Sequence, residues 1–203
     1  MLRAFLRVTV RGPRPAPTPR GLIVAPNHQS WLDPVLVQAA VLPHRLTFLM
    51  TELFYDLPVA GLYFRAVGAR PIREGRPSVE ALRAARTALA DGEALCMFPE
   101  GGITTDGALQ AGRRGVARLA RLSGAPVVPV GVRGAIRVFS KLQRFPRIHP
   151  VEIRLGEPVT YAGGEAREDE ERFTRDLMAR IEALAYGSGP SPSASIAARR
   201  LDA

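Results

Sequence analysis

Four short apolar runs constrain the fold of this chain more than any other feature. "GLIVA" (21–25), "LTFLM" (46–50), "ALCMF" (94–98) and "PVVPVGV" (126–132) are almost unbroken by polar residues. A strand with one wet face alternates apolar and polar positions, so a run apolar at every position must be covered on both faces. "VEIRLG" (151–156) does alternate and reads as a strand nearer an edge. Helical patterns fill the intervals. Ser78 is placed to cap "VEALRAARTALADG", which closes at Gly92. "RRGVARLARLSG" sets Val116, Leu119 and Ala120 on one face and ends at Gly124. Residues 165–186 carry Phe173, Leu177, Ile181 and Leu184 at helical spacing. Strands alternating with helices predict an α/β domain with a mostly parallel central sheet and helices on both faces.

With 203 residues there is room for one such domain, expected over 21–186. Residues 1–20 are expected to lie outside it. There, Leu2, Phe5 and Leu6 share a helical face beside Arg3 and Arg7, which suits a short helix in a membrane interface or one packed on the domain. The Pro-rich stretch "GPRPAPTPR" (12–20) reads as a stiff connector, and 187–203 as a disordered tail. No stretch approaches the roughly 20 apolar residues of a spanning helix. The start is too short and too interrupted by arginine for a signal-peptide core.

The formal net charge is +9, and every basic residue but Lys141 is an arginine. The planar guanidinium fork suits phosphate. Three partners fit such a charge: nucleic acid, an anionic membrane surface, or a phosphorylated small molecule. Nucleic acid is disfavoured, because no recognisable module is present and the few aromatics are not interleaved with arginine. The single Cys96 lies inside an apolar run and reads as a buried core thiol. No third ligand at metal-binding spacing accompanies the histidines, so no metal is expected.

In parallel sheets, chemistry gathers in the loops that leave the carboxyl ends of the strands. Three such loops stand out: "PNHQSWLDP", "FPEGGITTDG" (98–107) and "ARPIREGRP" (69–77). Together they hold His28, Asp33, Arg73, Glu100, Gly101 and Gly102. A histidine with one ring nitrogen held by a carboxylate keeps the other nitrogen as a base. A spacing of five is not one helical face, so His28 is expected in the loop and Asp33 about one turn into the next helix, pointing back. The competing reading is that Asn27 or Ser30 caps that helix and His28 is incidental. No nucleophile elbow is evident, so a base here would act directly on a substrate hydroxyl. Gly101 and Gly102 permit positive φ or close approach, and their amides suit an anion. Glu100 is placed to position a substrate hydroxyl or to orient a neighbour. Arg73 is a candidate phosphate ligand, as are Arg113 and Arg114, which open a helix.

Taken in order, these segments resemble the glycerolipid acyltransferase family of the PlsC type. The resemblance rests on "NHQSWLD", on "ELFYDLPVAGLYFRAVGARPIR" from Glu52 to Arg73, on "FPEG" from Phe98, and on Val128, Pro129 and Val130. It covers about Leu22 to Val159. It implies a glycerol-3-phosphate acyltransferase-like fold and transfer of an acyl group from acyl-CoA or acyl carrier protein, as co-substrate, to a lysophospholipid hydroxyl. No further cofactor is implied. By the resemblance His28 is the general base and Asp33 its partner, while Asn27 belongs to the first motif and would help bind the substrate. Arg73, Glu100 and Gly101 would bind the acceptor, and Pro129 would shape the acyl channel. Thr51 stands where the family often has lysine, and Gly102-Ile103 where it often has Thr-Arg. The run "FPEGGITTDGAL" also resembles bacterial enzymes that re-acylate lysophosphatidylethanolamine. A non-catalytic lipid-binding protein on the same fold is the rival that an intact His28 and Asp33 argue against. The expected location is peripheral, on the cytoplasmic face of a membrane.

Overall fold

The computed structural model describes residues 7–51, 61–62, 65, 69–72 and 79–187. Its centre is a seven-stranded sheet. The strands are β1 (Val8–Arg11), β2 (Leu22–Pro26), β3 (Leu46–Thr51), β4 (Ala69–Ile72), β5 (Ala94–Cys96), β6 (Val127–Arg133) and β7 (Val151–Leu155), ordered β1-β7-β6-β2-β5-β3-β4. From β6 to β4 all neighbours are parallel. β7 runs antiparallel to β6, and β1 runs parallel to β7. The sheet is therefore mostly parallel, as the apolar runs require.

Alternate residues of β2 separate the two halves of the core. Leu22 and Val24 join Leu36 and Val37 of α1 (Asp33–Ala40) and Val138 of α4 (Ile136–Phe139) on one face. Ile23 and Ala25 join the other face. That face carries Ala85 and Leu89 of α2 (Val79–Ala90), Val116 and Leu119 of α3 (Gly115–Ser123), and Leu177 and Ile181 of α5 (Arg167–Tyr186). Each such valine, leucine or isoleucine, fully removed from water, contributes about 1.5–3 kcal/mol. Helices thus cover both faces, and every residue of β2 is buried.

One expectation is corrected. Residues 8–11 form an edge strand, so they belong to the sheet and not to an N-terminal helix. The β-branched Val8, Thr9 and Val10 alternate, with Val8 and Val10 packed on the core and Arg11 turned out to Glu152 at 3.0 Å. β7 consequently lies one strand in from the edge, its alternation marking a dry face and a half-covered one. Ser78, the N-terminal residues 1–6 and the tail from 188 onward lie outside the described residues.

Candidate active site

β2, β5 and β6 are mutually aligned, so the loops leaving β2 and β5 open at one end of the sheet. The first carries His28. Its Nδ1 lies 2.8 Å from Asp33 Oδ2. The same oxygen accepts the backbone N–H groups of Gln29 at 2.6 Å and Ser30 at 2.7 Å. Asp33 is the first residue of α1 and not a turn inside it; a tight loop brings it back on to its own approach. A carboxylate oxygen can only accept here, so Nδ1 carries the proton and Nε2 presents a lone pair. Among the described residues none hydrogen-bonds Nε2, and the histidine side chain is 15% exposed. Asp33 is wholly buried, and its Oδ1 has no hydrogen-bond partner among the described residues. Its charge is compensated through one oxygen, which points at the imidazole.

The helix-cap alternative is met only by Ser30, whose Oγ accepts Leu32 N–H at 3.1 Å just ahead of α1. The residue preceding α1 is Leu32, with no side-chain cap. Asn27 spans instead to β6: its amide donates to Val132 O at 2.9 Å and its carbonyl accepts Val132 N–H at 2.7 Å. Ser30 donates to Phe139 O at 2.9 Å, and Trp31 N–H reaches the same carbonyl at 3.1 Å. Asn27, expected to help bind the substrate, is instead buried with its amide spent on Val132, and it and Ser30 anchor the His28 loop to β6 and α4.

The β5 loop completes the setting. Phe98 stacks on the His28 ring with centroids 3.8 Å apart. Glu100 accepts His28 N–H at 2.7 Å through Oε1 and Gln110 N–H at 2.8 Å through Oε2. Thr104 N–H closes on His28 O at 2.9 Å. Of the two roles open to Glu100, the geometry favours orienting a neighbour. Burial pushes its carboxyl up, against the lowering effect of the Gln110 and His28 N–H groups. Gly101 has φ +72°, and a Cβ there would lie 2.7 Å from Arg113 Nε, so glycine is what lets the guanidinium lie across the loop. Gly102 faces open space.

The predicted arginines separate. Arg113 sits at the loop. Arg114 turns away to α5, with Nη1 at 3.3 Å from Glu170 Oε2 and Nε at 3.9 Å from Glu171. Arg73, and most of the second motif, lies outside the described residues. Pro129 is buried mid-strand, level with Ala25, against Gly156 and α5. Cys96 is buried, and burial followed by the nearby Asp33 charge pushes its thiol well up, so it is no ready nucleophile.

Some participants carry no legible signal in the sequence. Tyr186, at the end of α5, donates to Gly107 O at 2.6 Å and accepts Gln29 Nε2 at 2.9 Å. With Arg133 and Arg137 these residues line a cavity of about 720 Å³ that borders the His28 loop through Gln29. Only the long amphipathic run of α5 hinted that its far end would return to the site.

Comparison with known proteins gives the family. The acyltransferase family model matches residues 7–133, which span the His28–Asp33 pair and the Glu100 loop. A 1-acyl-sn-glycerol-3-phosphate acyltransferase of Bacillus subtilis (strain 168) is 23% identical over 171 residues, 83% of each chain. One from Neisseria gonorrhoeae is 32% identical over 133 residues, covering 64% of this chain and 51% of its own. The crystal structure of the 1-acyl-sn-glycerophosphate acyltransferase PlsC from Thermotoga maritima superposes with a TM-score of 0.72 at 29% identity. It covers 90% of this chain and 76% of its own. The fold, the motifs and the matched span together make this chain an enzyme of the PlsC-type acyltransferase family.

Proposed function

We propose that the chain moves a fatty acyl group from an acyl thioester, acyl-CoA or acyl carrier protein, to the free hydroxyl of a lysophospholipid. The names of its relatives favour 1-acyl-glycerol-3-phosphate as acceptor. The observation that carries the mechanism is the His28–Asp33 pair, with Nδ1 fixed by the buried carboxylate and Nε2 left as a base.

In this mechanism Nε2 takes the proton of the acceptor hydroxyl as its oxygen attacks the thioester carbonyl. Asp33 stabilises the imidazolium that forms. The tetrahedral intermediate collapses, the C–S bond breaks, and the departing sulfur takes the proton from Nε2. An ester and a free thiol result, and the base is restored. No protein nucleophile is required, in keeping with the burial of Cys96. Arg113, exposed beside Gly101, is the described cation best placed for the acceptor phosphate, and Arg73 remains a candidate for the same task. Arg114 is already engaged by two carboxylates. Pro129 is proposed, on the resemblance of its motif, to shape the acyl channel.

The test is acyl transfer from a labelled long-chain acyl-CoA to a panel of lysophospholipids, wild type beside His28→Ala. Wild type is expected to esterify lysophosphatidic acid, and the variant to lose roughly 10²- to 10⁴-fold with its fold retained. Equal turnover by the two proteins would remove His28 from the mechanism. Preference for lysophosphatidylethanolamine would move the acceptor to the other lysophospholipid class.

A further inference from the structure

α4 ends at Phe139, and the chain then takes eleven residues, "SKLQRFPRIHP", to reach β7. This segment is built, not loose. Ser140 O accepts Gln143 N–H at 3.2 Å, Gln143 Oε1 accepts Ser140 N–H at 2.7 Å, and Arg147 N–H closes on Val138 O at 2.7 Å. Yet its large apolar side chains point outward: Leu142 is 78% exposed, Phe145 70% and Ile148 60%. A single exposed leucine needs no account, but three in seven residues, held out by an ordered turn, do.

The charge around them selects the occupant. Lys141, Arg144 and Arg147 are interleaved with the three apolar residues, and Arg144 lies over the Phe145 ring at 5.6 Å. From Gly107 to Val151 the sequence contains no acidic residue. Apolar side chains rimmed by uncompensated cations match an anionic lipid surface, where acyl chains accept the first and headgroups the second. Position supports the same partner. The loop leaves β6 at the end of the sheet where His28 sits, and Phe139 O, one residue before it, accepts hydrogen bonds from Ser30 and Trp31 inside the His28–Asp33 loop.

We propose that the 140–149 loop is a membrane-docking element that inserts Leu142, Phe145 and Ile148 into an anionic bilayer and thereby sets the His28 site at the lipid interface. The inference gives the proposed lipid acyltransferase its point of contact with the substrate phase. It is tested by binding, so its failure and a failure of that activity are separable.

Vesicles of phosphatidylglycerol and phosphatidylcholine are sedimented with the full chain, with the triple variant L142S/F145S/I148S, and with K141E/R144E/R147E. Circular dichroism checks that each variant is folded. Wild type is expected to bind, and both variants to bind at least tenfold more weakly. Binding should weaken with salt and be lost on neutral vesicles. Turnover of a monomeric short-chain lysophospholipid should be kept by both variants while turnover on vesicles falls. Wild-type-like vesicle binding by the serine variant would overturn the proposal. So would a wild-type dimer that the serine variant dissociates, since a second copy would then be what covers the loop.

Discussion

Glu100 reaches across 72 residues of sequence to hold the backbone N–H of His28 at 2.7 Å, and with its other oxygen it holds Gln110. One buried carboxylate thus sets the position of His28 and the course of the loop beyond it. A charge kept in such a place costs solvation, which is why burial raises the Glu100 carboxyl despite two N–H donors.

The sign of the resulting pH dependence follows. A carboxyl whose native pKa is raised above its unfolded value of about 4.3 binds its proton more tightly when folded. Its contribution to stability is fully present below the unfolded value and is lost as pH rises through the raised native one. Glu100→Gln cannot titrate. In urea unfolding from pH 4 upward, the stability of wild type minus that of the variant should fall with pH and then level off. A difference that grew with pH would mean that the native site favours the ionised form.

Asp33→Asn preserves shape while removing charge. With its carbonyl in the place of Oδ2, asparagine keeps the Gln29, Ser30 and His28 donors, and its amide occupies the site where Oδ1 lacks a partner. The imidazolium then forms without a counter-charge. kcat should fall by at least about 10²-fold. KM for the acceptor should change little, because Asp33 is wholly buried and out of its reach. Steady-state kinetics of a folded variant separate the two, and an effect confined to KM would contradict the role assigned to Asp33.

The sheet and the histidine–carboxylate pair were legible because their signals are local. Buried parallel strands need unbroken apolar runs, and "NHQSWLD" places both partners within one short loop. What was not legible depends on distant backbone. Four residues at 8–11 are too few for a period to declare itself, and their strand exists only because β7 offers a partner. Nothing near Asn27 announces that Val132 will take both ends of its amide, nor does Tyr186 announce Gln29. The arginines show the same limit: adjacent in sequence, Arg113 and Arg114 part company because α5 presents Glu170 and Glu171 to only one of them.

Cys96→Ala distinguishes direct transfer from a covalent acyl-enzyme. If the acceptor hydroxyl attacks the thioester itself, turnover should stay within a few-fold of wild type. The small cavity should cost about 1 kcal/mol. Mass spectrometry of wild type incubated with acyl-CoA alone should find no acyl group on the protein. Loss of activity in a folded Cys96→Ala protein, with an acyl adduct on wild type, would replace the direct mechanism.

Gly131 sets how close α5 lies to the sheet that carries the site. A Cβ on Gly131 would sit 2.3 Å from Ala185 N and 2.4 Å from Leu184 C. Those are backbone atoms of the helix and cannot swing aside as a side-chain end can. Gly131→Ala must therefore push α5 outward, costing about 1–3 kcal/mol. Because α5 ends in Tyr186, which holds Gln29 and Gly107, the displacement should also reach the His28 loop and lower kcat. Gly102→Ala is the matched control, since its Cβ meets open space, and its stability should change by no more than about 0.5 kcal/mol. Denaturant midpoints and turnover of the two variants decide the matter. If Gly131→Ala is as stable as Gly102→Ala and as active as wild type, the close seating of α5 is not what holds that end of the site.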